Sequence, residues 1–280
     1  MSLTVALAVL AAAVLHAAWN ALIRFHGDRL AMLAMVAAFS ALFALPGALW
    51  LSLPSSGAWP WLAASVLLHI GYNVSLANAY THGDLGRIYP LARGSAPLLT
   101  LIGGTLLLGQ TVEDWQRAGV ITLAGGILVL AFEDGWRQLR RSPRGALFAV
   151  VTSLFIAGYT LSDGMGARAS GNPHAYVLWL FVLNGIPLLL YGLVTGKART
   201  TAAFSANWKA GSVGGLLSLG AYWIAIWAMT TAPIAAVAAL RESSVVFAVL
   251  IGVLFLGEAF TWVRALSVLT VLAGLVMLRL

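Results

Sequence analysis

The chain contains no cysteine, which excludes disulfides, thiolate metal sites and cysteine nucleophiles together and leaves the redox compartment unmarked. Charge is nearly as scarce: 9% of the 280 residues are Asp, Glu, Lys or Arg, where a water-soluble domain carries roughly a quarter. The five histidines are dispersed and form no zinc-spacing pair. No paired catalytic motif or nucleophile elbow occurs, and GGTLLLGQ, residues 103–110, lacks the Lys-Ser/Thr ending of a phosphate loop. Neither cofactor, metal nor enzymatic activity is expected. The formal charge of +7 comes from basic residues set singly or in one loop, without the basic stripe and exposed aromatics of a nucleic-acid surface. Nucleic acid is therefore not an expected partner.

What is present is apolar: 61% hydrophobic residues and a mean hydropathy of +0.92. A membrane-spanning helix needs roughly 20 such residues, and polar breaks divide the chain into ten candidate spans at 3–23, 30–53, 61–80, 85–108, 115–132, 145–166, 174–195, 210–229, 233–256 and 261–278. The first lacks a basic leader and is too long for a signal peptide, so it is read as a span. The expected class is an all-α integral membrane protein, with the lipid bilayer as its solvent. The basic loop EDGWRQLRRSPR, 133–144, separates residues 1–132 from 145–280, five spans each.

These halves resemble each other. A shift of 148 lays LARGSAPLLTLIGGTLLLGQ over ALRESSVVFAVLIGVLFLGE and pairs Arg93 with Arg241, Gly104 with Gly252, Gly109 with Gly257 and, further on, Gly126 with Gly274. About ten identities fall in about forty positions, against roughly four expected for so Leu- and Ala-rich a chain, the weak internal symmetry of transporter repeats. Five spans per copy is odd, so the second copy is inverted.

The LxLGQ and LxLGE helix ends, the span count and the paired halves resemble the EamA branch of the drug/metabolite transporter superfamily. HAAWNAL, GDLGRIYPLARGSAP and YTLSDGMGARASGN are similar to one bacterial subgroup of it. Gln110 departs from the acidic residue usual in the first half, whereas Glu258 keeps it. The resemblance implies a ten-helix transporter of small molecules such as amino acids, amines, sugars or cationic drugs. It also implies cytoplasmic termini. The distribution of basic residues disagrees, because most fall on the side of the central loop; the positive-inside bias then makes that loop cytoplasmic and the termini external. The expected location is the bacterial cytoplasmic membrane.

Arg93 and Arg241 lie at matching depths inside spans, where charge is expensive and normally faces a partner or a wet cavity. Pro90 beside Arg93 frees a backbone carbonyl for a ligand or water. His16 and Asn20 on the first span match Tyr159 and Asp163 on the sixth at a shift of 143, each pair four apart and so on one helix face. This predicts Asn20 with Arg93 and Asp163 with Arg241 as two gates or subsites. Glu242 follows Arg241, about 100° around a regular helix, so the two are not expected to face each other. Glu242 and Asp163 are the proton-coupling candidates. His69, Tyr72, Asn73, Leu76 and Tyr80 share a face of the third span, and Trp19, Tyr72, Tyr89, Tyr159, Tyr222 and Trp223 offer a cage for amines. Arginines suit carboxylate or phosphonate by bidentate bonding.

Together these predict a secondary active or exchange transporter of amino-acid-like zwitterions or amines by alternating access. It would work as a monomer or weak homodimer, with protons as a coupling partner. The alternatives are an exporter of hydrophobic organic cations and, less favoured, a lipid-linked sugar flippase or an intramembrane enzyme.

Overall fold

The structure is a computed structural model that describes residues 1–25, 28–82, 85–133 and 142–279. Most of the central loop, with Arg137, Arg140 and Arg141, lies outside the described residues, as do the side chains of Arg24, Arg29, Tyr80 and Arg87. The helices are α1 (Leu3–Phe25), α2 (Arg29–Trp50), α3 (Trp59–His82), α4 (Leu85–Leu106), α5 (Asp114–Ala131), α6 (Pro143–Ala169), α7 (Pro173–Thr231), α8 (Ile234–Glu242), α9 (Ser244–Leu256) and α10 (Trp262–Arg279).

Local chemistry sets their ends. Asp28 accepts from the amides of Leu30 and Ala31 and starts α2, and Asn172 does the same for His174 and Ala175 ahead of Pro173 in α7; both satisfy donors that an open helix end leaves unpaired. Gly109 and Gly257 take left-handed backbone, φ 60° and 67°, just after α4 and α9. Beyond them the Gln110 amide donates to Gly104 O at 2.9 Å and the Glu258 amide to Gly252 O at 3.0 Å. Each bond reaches back six residues past a left-handed glycine, and the same closure of a helix end is made at positions 148 apart.

The surface is inverted relative to a water-soluble protein. Trp50, Leu107, Val194 and Phe255 are exposed, while Arg93, Asp163, Arg241 and Glu242 are buried. Six helical stretches among the described residues are long and apolar enough to cross a membrane. The chain is a multi-pass, all-helical membrane protein.

Helix α7 differs from expectation. Its 59 residues would make a rod of about 88 Å at 1.5 Å per residue, nearly three times a bilayer core of about 30 Å. Non-helical backbone at Gly196 and Asn207 breaks it. Thr200 Oγ1 donates to Gly192 O at 2.8 Å, although eight residues along a straight helix would separate them by about 12 Å. The chain therefore turns back, and the two outer arms of α7 correspond to the predicted spans 174–195 and 210–229. Both arms clasp α2. A methyl on Gly185 would lie 2.8 Å from Ala37 O, and one on Gly215 would lie 2.9 Å from Ser40 N. Ser40 Oγ, 3.0 Å from Gly215 O, adds a polar contact to this close approach. The residues between the arms, predicted as a loop, are largely helical because the Ala- and Lys-containing stretch KARTTAAFSANWKA has good helix formers.

The predicted span 233–256 is also broken, at Ser243 between α8 and α9. Ser243 N donates to Leu240 O and Val246 N to Ser243 O, so the turn tightens to three-residue spacing and changes which way the neighbouring side chains point.

Candidate functional site

Glu242 is the last residue of α8, just before the tightened turn at Ser243. Its Oε1 accepts from Arg241 Nη2 at 3.4 Å, and its Oε2 lies 2.8 Å from Arg93 Nε on α4. One carboxylate thus serves two guanidinium groups. The reading that Glu242 and Arg241 do not face each other is corrected: both side chains are long enough for their ends to meet across neighbouring positions of α8.

Helix α4 brings Arg93 to this point between Pro90 and Pro97. A methyl on Gly94 would meet the Leu128 amide of α5 at 3.1 Å, so the two helices run close together there. Arg93 Nη2 lies 2.7 Å from His16 Nε2 on α1, and its guanidinium lies 5.7 Å from the Tyr89 ring centre. Arg241 lies over Tyr222 at 5.2 Å. The site leaves hydrogen-bonding capacity unspent: Arg241 Nε and Ser243 Oγ are buried without a partner, and the Arg93 Nε–H is not aligned on Glu242 Oε2 beside it, which also lacks a hydrogen bond. Buried polar atoms are normally satisfied, so these donors call for an oxygen-bearing ligand or water.

A second cluster surrounds Asp163 on α6, which is fully buried. Tyr176 and Tyr222, one from each arm of α7, donate to its two oxygens at 3.1 and 2.5 Å. Ser65 on α3 supplies a third side-chain hydrogen bond. His69 Nδ1, 2.9 Å from Ser65 O, donates to it, and the His69 ring stacks on Tyr159 at 4.0 Å. Tyr159 meets Tyr72 and Tyr222 edge-on at 5.8 and 6.4 Å. The rings of Tyr159 and Tyr222 connect the carboxylate cluster with the arginine cluster.

Several predicted residues are therefore together: His16, Tyr72, Tyr89, Arg93, Tyr159, Asp163, Arg241 and Glu242. The predicted direct pairs are rearranged. Arg93 meets His16 rather than Asn20, whose amide turns back to donate to His16 O at 2.8 Å, a cheaper partner on its own helix. Asp163 reaches Arg241 through Tyr222. Trp19 sits edge-on to His16 at 5.2 Å, and Asn73 is half-buried next to Tyr72. Trp223 lies apart: its indole donates to His174 Nδ1 at 2.7 Å, beside a hollow of about 350 Å³ shared with Gly220 and Trp227. Ser65 and Tyr176 are additions that sequence reasoning missed. The i,i+4 spacing of Ser65 to His69 was a usable signal, whereas Tyr176 sits in an apolar run without one. Among the described residues no group of three or more His, Asp or Glu side chains is placed to hold a metal ion.

Tyr222→Phe keeps the ring over Arg241 and deletes a donor to a buried carboxylate. A charge-assisted hydrogen bond of this kind contributes about 1.5–3 kcal/mol. The variant is expected to melt several degrees below wild type in detergent; an unchanged melting temperature would show that Asp163 does not depend on this phenol.

Residues 143–280 match the model of the EamA-like transporter family. The chain belongs to that family. EamA-like proteins are transporters, not a family of enzymes, and the present chain is a transporter of the drug/metabolite type. Twenty-nine chains of known structure are similar to it. One crystal structure, 16% identical, superposes with a TM-score of 0.79 over 99% of this EamA-like chain and 96% of its own; likeness at that identity establishes a shared fold. No curated protein matches the sequence.

Proposed function

We propose that this EamA-like protein is a secondary active or exchange transporter of small polar organic metabolites, amino-acid-like zwitterions or amines, working by alternating access. The observation that carries this reading is the buried Arg93–Glu242–Arg241 cluster with its unspent donors. A membrane protein that needed only packing would be at least as stable with apolar residues there. Two guanidinium groups with one internal carboxylate leave an excess positive charge suited to an anionic group. The Tyr159, Tyr222 and Tyr72 rings nearby suit an amine. The zwitterion is favoured over a hydrophobic cation because Asp163 is already occupied by three donors.

Alternating access rests on inverted repeats of five spans, residues 1–132 and 145–280. Contacts between α5 and α10 support them. A methyl on Gly126 would approach Val271 N at 2.9 Å and Ser267 O at 3.1 Å, and a methyl on Gly274 would approach Leu123 N at 2.6 Å and Gly119 O at 2.9 Å. Each residue of the first contact is related to its counterpart in the second by the shift of 148. Position increases along α5 as it decreases along α10, so corresponding helices meet antiparallel, as an axis in the membrane plane requires. The family match begins at residue 143, beside the junction. Fused repeats make a monomer sufficient, and the positive-inside bias of the basic central loop supports a bacterial cytoplasmic membrane as the location, with that loop inside.

The test is a thermal-shift screen of purified protein against amino acids, aminophosphonates, quaternary amines and cationic dyes, repeated on Arg93→Gln. A zwitterion is expected to raise the melting temperature of the wild type and not of the variant. Stabilisation by cations alone, retained in Arg93→Gln, would favour the organic-cation exporter instead.

A further inference from the structure

An arginine side chain has five N–H donors and no acceptor. The 2.7 Å contact between Arg93 Nη2 and His16 Nε2 therefore requires His16 Nε2 to present its lone pair, with the ring neutral and its proton on Nδ1. A proton arriving at Nε2 removes that acceptor and sets two cations against each other. We propose that His16 Nε2 is the proton-binding site that couples proton movement to the binding of an anionic group in this transporter. The inference rests on the reading that the two arginines hold the anionic end of the substrate.

The charges that face His16 define the coupling. Arg93 comes from α4, and Arg241 with Glu242 comes from α8. On α1 itself, Trp19 lies against the ring and Asn20 binds the His16 carbonyl. The next layer holds His69 and Tyr72 of α3, Tyr89 of α4, Tyr159 and Asp163 of α6 and Tyr222 of α7. Helix α9 has no titratable side chain, and α2 has none beyond Arg29. With His16 neutral, Arg93, Arg241 and Glu242 sum to one positive charge; protonation makes it two. A substrate carboxylate restores the original sum and takes the N–H that Arg93 has lost a partner for. Proton and carboxylate consequently favour each other's binding and cross together.

Glu242 and Asp163 serve this role less well. Both oxygens of Glu242 already face guanidinium groups, and Asp163 accepts from three hydroxyl groups and touches neither arginine. At His16 one proton breaks a single contact and frees one arginine while both ion pairs of Glu242 stay in place.

Histidine-selective ¹⁵N NMR of the full chain in nanodiscs, with His16→Gln or His16→Asn to identify the signal, tests the first step without any substrate. At neutral pH His16 should carry its proton on Nδ1, and Arg93→Gln should raise its proton affinity at least tenfold. A proton on Nε2 at neutral pH, or an affinity indifferent to Arg93→Gln, overturns the proposal. The second step uses proteoliposomes containing a pH-sensitive dye, offered the standard amino acids singly. About one proton is expected to enter per amino acid taken up by wild type, with the ratio falling toward zero in His16→Gln; a ratio unchanged by that substitution also overturns it. If wild type takes up none of them, the zwitterion reading fails, and the NMR result still decides His16.

Discussion

Glu242→Gln is expected to lower the melting temperature of the purified protein more than any other single change in the arginine cluster. Removing one partner of a buried ion pair costs about 3–5 kcal/mol, because the charge left behind is uncompensated. Here the removed carboxylate serves both Arg93 and Arg241. A loss of that size corresponds to a fall on the order of 10 °C. Arg93→Gln leaves Glu242 with Arg241 and should cost less. The double variant should recover part of the loss, falling short of the sum of the singles by about 1–3 kcal/mol, as expected for residues in one network. Thermal melts of the four proteins in one detergent give the answer. Additive losses would mean that Arg93 and Glu242 do not share a charge network.

Gly126→Ala and Gly274→Ala form the second comparison, with Gly125→Ala as its control. A methyl on Gly274 would stand 2.6 Å from the Leu123 amide, and one on Gly126 would stand 2.9 Å from the Val271 amide. Backbone cannot rotate aside as a side chain can, so α5 and α10 must separate. Overpacking of this kind costs about 1–3 kcal/mol, and the tighter Gly274 contact should lie at the upper end. A methyl on Gly125 meets nothing within 4 Å, so Gly125→Ala should be neutral or stabilise by up to about 1 kcal/mol through helix propensity. Equal melting temperatures for Gly125→Ala and Gly126→Ala would place the crossing elsewhere.

The arginines were legible in the sequence because they carry two independent signals: charge in an apolar run, and a counterpart at a fixed shift. His16 was legible through its spacing to Asn20 and the matching Tyr159–Asp163 pair. Partner choice was less so, since it depends on how far each side chain must reach. Asn20 is short and finds the carbonyl one turn back. Glu242 was misjudged because helical periodicity fixes where a side chain leaves the helix and not where the end of a long one reaches. Ser65 and Tyr176 escaped notice because a small hydroxyl and a single ring inside apolar stretches look like packing until the fold places Asp163 between them. The reversal at Gly196 was visible as a gap between apolar runs, though not the helix that continues through it.

The clasp of α7 around α2 also sets a timetable for synthesis. Ser40 on α2 is complete long before Gly215, its neighbour across the interface, is added. A ribosome adding about 5–20 residues per second takes on the order of ten seconds or more to cover that interval. During that time α2 stands in the membrane with its small-residue face against lipid, or against a chaperone, instead of its final neighbours. The nascent chain is most vulnerable to misassembly and proteolysis in this interval, and slowing translation through the second half would lengthen it.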